Sequence, residues 1–329
     1  MRHKVCAGAA LLALAATPLA TAETYNFEVG LGFDRTQFDS SSVQTVDQPM
    51  PPTPITFTDE TSIDTDDIRL FGNWYFAGLS DDNGPRARAV FVDRASVATL
   101  AYLRSDQTFS TRFDNDSGLP FLLPGEFSSD QTLDSLSASV RLVDRNSGWY
   151  GLAGISRSEA EIEFNAPGLV GSEFDATGYS LGFGKYLFAT TSLEIAVDWI
   201  EVDSNDATDI SVDFTHLGSI GESWQYAVDL GYTNTDGVFG GDSDSYLAGL
   251  SLYPDRDLEF GIALTKEDGP FGGELTSIGI LGSWFFTPNA SVGVRYRFDD
   301  VDSGFTAIGP LDSVDENQDA WGIGVNVRF

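Results

Sequence analysis

Apolar and polar residues alternate along the segment that ends the chain. Counting back from Phe329, every second residue as far as Trp321 is bulky and apolar, and the residues between them are glycine, asparagine or arginine. A repeat of two residues is the geometry of a β-strand with one apolar and one polar face. We therefore predict a strand over 318–329 whose two faces meet different surroundings.

The same alternation recurs along the chain and is strict over 24–34. Strands of soluble domains usually run for about five or six residues, whereas about nine to eleven are needed to cross a bilayer. The pattern predicts an all-β fold, a transmembrane antiparallel up-and-down β-barrel of about 14 strands, with about 12 to about 16 as the range. The other clear segments are 134–144, 192–200, 223–233, 258–265 and 290–298, and the weaker ones are 66–77, 96–106, 149–158, 175–187, 208–218, 244–253 and 274–286.

The connections between these segments alternate in length. Short joins and long polar ones take turns, which is typical of barrels with short periplasmic turns and longer extracellular loops. The join 78–95 breaks this order, because it is long and contains the apolar run "AVFV". We interpret it as a turn with a short packed helix, and two extra strands are the alternative. The predicted long loops are 35–65, 107–133, 159–174 and 299–317.

Residues 1–22 have the three parts of a secretory signal peptide: a basic start, an apolar stretch and the small-residue sequence Ala20-Thr21-Ala22. A membrane-spanning helix is the weaker interpretation, because the apolar run is short and Pro18 interrupts it. We predict export and cleavage after Ala22, which leaves 23–329 as the barrel with its long extracellular loops. Cys6 is the one cysteine of the chain, so disulfides cannot hold that barrel together.

Aromatic residues cluster near the predicted short turns. Amphipathic rings prefer the headgroup level of a bilayer, so we interpret the cluster as a girdle at one membrane interface. Its predicted members are Trp74, Tyr75, Phe76, Trp149, Tyr150, Tyr186, Phe188, Trp224, Trp284, Phe285 and Phe286.

The terminal sequence "WGIGVNVRF" resembles the C-terminal signature of Gram-negative outer-membrane β-barrels, especially porins. The resemblance implies location in the outer membrane and pairing of the last strand with the first. It also implies that the barrel-assembly machinery reads the final aromatic residue and its alternating partners. In this chain those residues are Trp321, Ile323, Val325, Val327 and Phe329.

The chain is strongly acidic, with 50 acidic and 18 basic residues and a formal net charge of −32. Such a charge repels nucleic acid, so a nucleic-acid-binding role is disfavoured. Acidic runs at 113–118, 203–209 and 241–245 could bind Ca²⁺, but none has the spacing of a known calcium loop. We favour a solvated acidic surface for all three.

The sequence offers little for catalysis. His3 lies in the predicted signal peptide, and His216 is the one other histidine. Asp213 is three residues from His216 and hence on the opposite face of an unbroken strand, so no dyad is expected. We predict that the protein is not an enzyme, has no cofactor and binds no metal through His and Cys. An outer-membrane hydrolase is the less favoured alternative.

The inward faces of the predicted strands carry charges of both signs. Closure makes the strands of Arg69, Arg295, Arg297 and Arg328 neighbours, whereas the acids other than Glu28 lie across the barrel. The predicted pore-lining residues are Glu28, Arg69, Arg141, Glu194, Asp198, Asp213, Asp229, Glu259, Arg295, Arg297 and Arg328. A ring of about eight strands is filled by side chains, so about 14 strands should leave room for water.

We therefore predict a porin for passive diffusion of small hydrophilic solutes or ions, with a weak cation preference. A structural or adhesive barrel with a plugged lumen is the alternative. The expected partners are outer-membrane lipid, the barrel-assembly machinery and small hydrophilic solutes. Many porins are homotrimers, but the sequence has no interface signature that would decide the oligomeric state.

Overall fold

The computed structural model describes residues 24–46, 55–80, 84–115, 125–165, 170–202, 205–221, 223–237, 242–268, 274–302 and 313–329. The predicted signal peptide lies outside these residues. The strands are β1 (Thr24–Val46), β2 (Ile55–Ser80), β3 (Val97–Asn115), β4 (Gly125–Val143), β5 (Trp149–Phe164), β6 (Ser172–Phe188), β7 (Thr191–Val202), β8 (Asn205–Ile220), β9 (Trp224–Asp236), β10 (Asp242–Asp255), β11 (Leu258–Asp268), β12 (Glu274–Thr287), β13 (Ala290–Asp302) and β14 (Ser313–Arg328). A 3₁₀ helix (Arg86–Arg88) and one α-helical turn, α1 (Ala89–Val92), lie between β2 and β3.

The 14 strands form one closed antiparallel barrel, which confirms the predicted fold class and strand number. Each strand pairs with its neighbour in the chain, and β14 pairs with β1, with Leu31 opposite Val325 and Phe33 opposite Ile323. In hydrocarbon an unpaired backbone group costs several kcal/mol. Closure gives every strand a partner on both sides, so the barrel presents no open edge.

The two faces of the barrel wall differ in polarity. Side chains on the outward face are large, apolar and exposed, as at Leu181 (55%), Ile280 (57%) and Val294 (56%). A band of this kind is stable only where lipid covers it, so the outward face is that of a membrane-spanning barrel. No helix among the described residues is long and apolar enough to cross a membrane.

The strands on one side of the barrel extend far beyond this band. β1 has 23 residues and β2 has 26, whereas β11 has 11. The described parts of the predicted loops 35–65, 107–133, 159–174 and 299–317 are mostly strand, so the predicted loop boundaries were wrong; the rest of these loops lies outside the described residues. Beyond the hydrocarbon both faces of a strand meet water, so the apolar–polar contrast disappears although backbone pairing continues to Val46 opposite Ile55.

The join after β2 has the helix that its apolar run predicted. Residues 86–92 are helical, and β3 begins only at Val97. The alternative of two extra strands is wrong, because 86–92 is helical and the fourteen strands already close the ring without it.

The seam between β1 and β14 is fastened by a buried ion pair. Glu28 and Arg328 lie directly opposite each other, and their side chains are 7% and 5% exposed. Arg328 Nε lies 3.5 Å from Glu28 Oε2, and the Tyr75 hydroxyl donates to the same oxygen at 2.6 Å. The guanidinium group also lies over the rings of Tyr25 and Phe285.

The last residue completes the seam through its backbone. Phe329 N donates to Phe27 O at 2.9 Å, Phe27 N donates to Phe329 O at 2.9 Å, and the two rings stack with centroids 6.0 Å apart. The terminal aromatic residue is therefore held in register with the first strand.

We predict that Arg328→Met lowers the free energy of unfolding by about 3–5 kcal/mol, because it leaves Glu28 buried without its counter-charge. Combining it with Glu28→Gln should recover most of the loss. The measurement is urea unfolding in detergent micelles, followed by tryptophan fluorescence. Arg35→Met is the matched control, because Arg35 pairs with Asp64 on the exposed outward face and such pairs contribute at most about 1 kcal/mol. Equal losses in the two single variants would contradict the assignment.

Candidate functional site

The lumen has a floor of inward aromatic rings at the short-turn end, the end of the barrel that carries the turns at 144–148, 189–190 and 288–289. Six of these rings are buried, and all lie on the inward face: Tyr25, Tyr75, Tyr150, Tyr186, Tyr253 and Phe285. Four of them had been predicted as part of the outer girdle, and that assignment of Tyr75, Tyr150, Tyr186 and Phe285 was wrong. A strand turns successive side chains to opposite faces.

The outer girdle consists of the neighbours of these residues. Trp74 and Phe76 flank Tyr75, and Trp284 and Phe286 flank Phe285. The exposed outward members are Trp74, Phe76, Trp149, Phe188, Trp224, Trp284 and Phe286.

Residues 84–96, which we name the plug, fill the space inside this floor. One side of the plug packs on the wall formed by β1 and β2, and the other side packs on β8, β9 and β10. In a ring of 14 strands, β8 is seven strands from β1, so these two walls face each other. The plug therefore crosses the lumen. Its contacts are Ala89, Val90 and Ala95 with Tyr25, Tyr75 and Leu79 on one side, and Ala87, Phe91 and Val92 with Leu217, Ala227 and Tyr253 on the other.

Arg88 gives the plug its main polar contact with the far wall. Its Nη2 lies 2.5 Å from Asp229 Oδ2, and its Nε donates to the Tyr253 hydroxyl at 2.8 Å. That hydroxyl donates to Glu259 at 2.8 Å, and Thr215 donates to Asp229 at 2.9 Å. Burial lowers the pKa of Arg88, but Tyr253 and Asp229 raise it more, so the net pKa is raised and the guanidinium stays charged.

Further contacts hold the edges of the plug. Arg86 N donates to Arg256 O at 2.9 Å, and the Arg86 side chain pairs with Asp257. Arg94 donates to Phe188 O at 3.1 Å and lies over the Tyr186 ring. The plug is thus fixed at several points around the short-turn end.

The lumen beyond the plug, which we name the vestibule, has small polar walls. Inward serines follow one another on neighbouring strands, and Ser158 donates to Ser135 at 2.9 Å. Hydroxyl groups on a wall can bond to water, so this surface suits a wet interior. The serines are Ser135, Ser137, Ser139, Ser156, Ser158, Ser180 and Ser211.

The predicted arginines beside the seam lie on the vestibule wall with about half of each side chain exposed. Arg69 and Arg295 both pair with Asp34, and Arg297 Nε lies 2.9 Å from Asp299. Arg69 also lies 3.3 Å from Asp67. The sequence argument did not include Asp34, Asp67 and Asp299, although their position in the two-residue repeat already put them on the inward face.

The opposite wall of the vestibule carries carboxylates in pairs. Glu194 lies directly across from Asp213, and Asp198 lies directly across from Asp209, which the sequence argument missed. None of these four has an ion-pair partner among the residues that the structure describes. Like charges directly opposite each other are destabilising. Glu194 is hydrogen-bonded to the Tyr150 hydroxyl, which is neutral, so the wall keeps a negative charge that no ion pair balances.

The remaining predicted pore-lining residues belong to the floor. Glu28 and Arg328 form the seam pair, and Asp229 and Glu259 contact Arg88 or Tyr253. Arg141 donates to the Tyr186 hydroxyl at 3.1 Å and lies over Tyr150. The structure thus brings Arg69, Glu194, Asp198, Asp213, Arg295 and Arg297 to the vestibule and the other five to the floor. That these residues line a conducting path stays a prediction.

His216 lies on the outward face, away from the lumen. Its Nδ1 is 2.9 Å from Thr191 Oγ1, and its ring packs beside Tyr226. Asp213 is on the inward face, so the two side chains form no dyad. Within the described ranges, no group of three or more His, Cys, Asp or Glu side chains could hold a metal ion. The acidic runs 113–118, 203–209 and 241–245 lie partly outside those ranges.

No family model matches the chain, and no curated protein does. Many solved structures do, at low sequence identity. Omp33, an outer membrane protein of Acinetobacter baumannii, is 17% identical with a TM-score of 0.47 over 94% of this chain and 100% of that one. The translocator domain of the autotransporter NalP from Neisseria meningitidis is 14% identical (TM-score 0.40; 98% and 97% covered), and OprB from Pseudomonas putida, in its low-pH structure, is 9% identical (TM-score 0.38; 99% and 98% covered).

Proposed function

We propose that the protein is an outer-membrane channel for passive diffusion of small hydrophilic solutes or ions. The observation that carries this proposal is the contrast between the two faces of one closed ring, which is apolar outside and lined by serine, aspartate and arginine inside. A ring of 14 strands is wider than side chains alone can fill. Polar walls around such a space form an aqueous path.

A weak cation preference follows from the charges of the vestibule. The arginines beside the seam are balanced by Asp34, Asp67 and Asp299. The wall of Glu194 and Asp213 has no such balance, so its carboxylates raise the local concentration of cations.

The outer membrane as location, and export by 1–22, belong to the same proposal. The girdle and apolar band match a bilayer, and the ordered terminal pairing of Phe329 gives an assembly factor a defined last strand. Recognition of Trp321, Ile323, Val325, Val327 and Phe329 by the barrel-assembly machinery is the partner we expect.

The plug supports a second candidate, a structural or adhesive barrel with a closed lumen. It crosses the lumen between opposite walls, and its contacts are both apolar and ionic. The two candidates differ in conductance, which a plugged structural barrel lacks.

We predict that the purified protein in planar lipid bilayers produces discrete current steps, brief because the plug occupies the short-turn end. A variant with 84–96 replaced by a glycine–serine linker should give long-lived steps of the same size or larger. Refolding of each sample is checked by the heat-dependent mobility of barrels in SDS gels. Silent bilayers with both folded proteins would exclude a channel and favour the structural barrel.

We predict that the protein conducts K⁺ in preference to Cl⁻. The measurement is the reversal potential in a KCl gradient. Glu194→Gln combined with Asp213→Asn should weaken this preference, and Arg295→Gln should strengthen it. The acidic double variant should also unfold at higher urea, because it removes a like-charge pair of roughly 0.2–1 kcal/mol. Arg35→Gln is the control, because it removes the same charge from the outward face and should leave the potential unchanged. Anion selectivity of the wild type would contradict the proposal.

A further inference from the structure

The plug is attached to the barrel in two different ways. Its ends continue into β2 and β3, which are neighbours on the same side of the barrel. Its near face packs on Tyr25, Tyr75 and Leu79 of that side. On the far side it has no covalent attachment: side chains contact β8, β9 and β10, and a backbone bond from Arg86 N to Arg256 O joins it to the turn after β10. A segment tethered at one wall and held reversibly at the other has the construction of a hinged flap.

The polar contact with the strands of the far wall lies in one side chain, Arg88, whereas Arg86 pairs with Asp257 in the turn after β10. Arg88 lies 2.5 Å from Asp229 through Nη2 and 3.4 Å from it through Nη1, and its Nε donates to Tyr253 at 2.8 Å. Charge-assisted bonds with two contacts are the strong ones among side-chain bonds. The apolar residues of the same contact, Ala87, Phe91 and Val92, pack without directional bonds, so the directional hold on β9 and β10 comes from the guanidinium.

This contact is partly accessible to water. The side chains of Arg88 and Asp229 are 25% and 26% exposed. Separated charges can therefore be solvated on opening, which keeps the cost of breaking the pair far below that of a fully buried pair. By contrast, the seam pair of Glu28 and Arg328 is almost fully enclosed and is suited to permanent closure.

We propose that Arg88 is the latch of a gate, and that release of Arg88 from Asp229 lets the plug leave β8–β10 and opens the channel. This inference rests on the channel function proposed above. Tyr253 orients the latch, because its hydroxyl accepts from Arg88 and donates to Glu259. Thr215 fixes the carboxylate of Asp229 from the other side.

The first test compares single-channel records of Arg88→Met and Asp229→Asn with the wild type. Loss of a charge-assisted bond should raise the ratio of open to closed time about tenfold or more. Arg94→Met is the matched control: it removes the same charge from the same segment, but Arg94 contacts a backbone carbonyl and a ring rather than Asp229. The exchange Arg88→Asp with Asp229→Arg should return the ratio toward that of the wild type.

The second test closes the gate covalently. The only cysteine of the chain is Cys6, in the predicted signal peptide, so Arg88→Cys with Asp229→Cys gives a mature protein with two thiols. The double variant should be open as purified, closed after reaction with a cleavable dithio-bismaleimide, and open again after reduction. Because one folded sample passes through all three states, misfolding cannot imitate this result.

The outcomes separate the two proposals. Open times that are equal in the wild type, Arg88→Met and the cross-linked protein would overturn the latch and leave the channel standing. Silence of every folded variant, including the one with the linker in place of 84–96, would overturn both.

Discussion

Every feature of this protein depends on the pairing of its first and last strands. A strand exposed to hydrocarbon with one unpaired edge would leave a row of backbone groups without partners, each costing several kcal/mol. Pairing of β1 with β14 removes that cost, and the buried pair of Glu28 and Arg328 sets its register together with the backbone bonds of Phe329. The resulting ring of 14 strands encloses a lumen, and the inward side chains line that lumen.

The lumen has two parts that differ in polarity. At the short-turn end the inward residues are rings, and they pack with the plug into a small core of the kind found in soluble domains. Beyond the plug the inward face includes serines and charged groups, which favour water, beside apolar side chains such as Phe71 and Leu281. One barrel wall thus supports a dry floor and a wet vestibule. The change occurs within a few residues along a strand, and on β1 it coincides with a register shift between Tyr25 and Phe27.

The two-residue repeat was sufficient to predict the strands, the closure and the inward face of the charged residues. It failed where both faces of a strand are polar, and where aromatic residues were grouped without regard to which face of the strand they occupy. Beyond the hydrocarbon the residues of both faces are polar, as at Gln37 and Asp39, so the strand extensions looked like loops. Clustered aromatic residues were assigned to one girdle, although Tyr75 and Phe285 occupy the inward phase.

Long-range contacts were beyond the reach of the sequence. The apolar run "AVFV" predicted a short helix correctly, but the pairing of Arg88 with Asp229 joins residues 141 positions apart. The local repeat of apolar and polar residues does not indicate which distant strands a short helix will pack against. The same holds for Asp34, whose inward phase could be read from the sequence, whereas its pairing with Arg69 and Arg295 could not.

The paired carboxylates on β7 and β8 indicate that the vestibule contains water. Glu194 opposite Asp213, and Asp198 opposite Asp209, would be costly in a dry core, where such groups lose their charge rather than remain ionised without partners. Water and mobile cations relieve that cost, so the acidic wall is stable only beside an aqueous space. At the floor, the plug ends that space, and ion pairs and apolar contacts with opposite walls hold it in place. An acidic wall beside water, with the plug closing the lumen at one end, is what the proposed gated channel would present in its closed state.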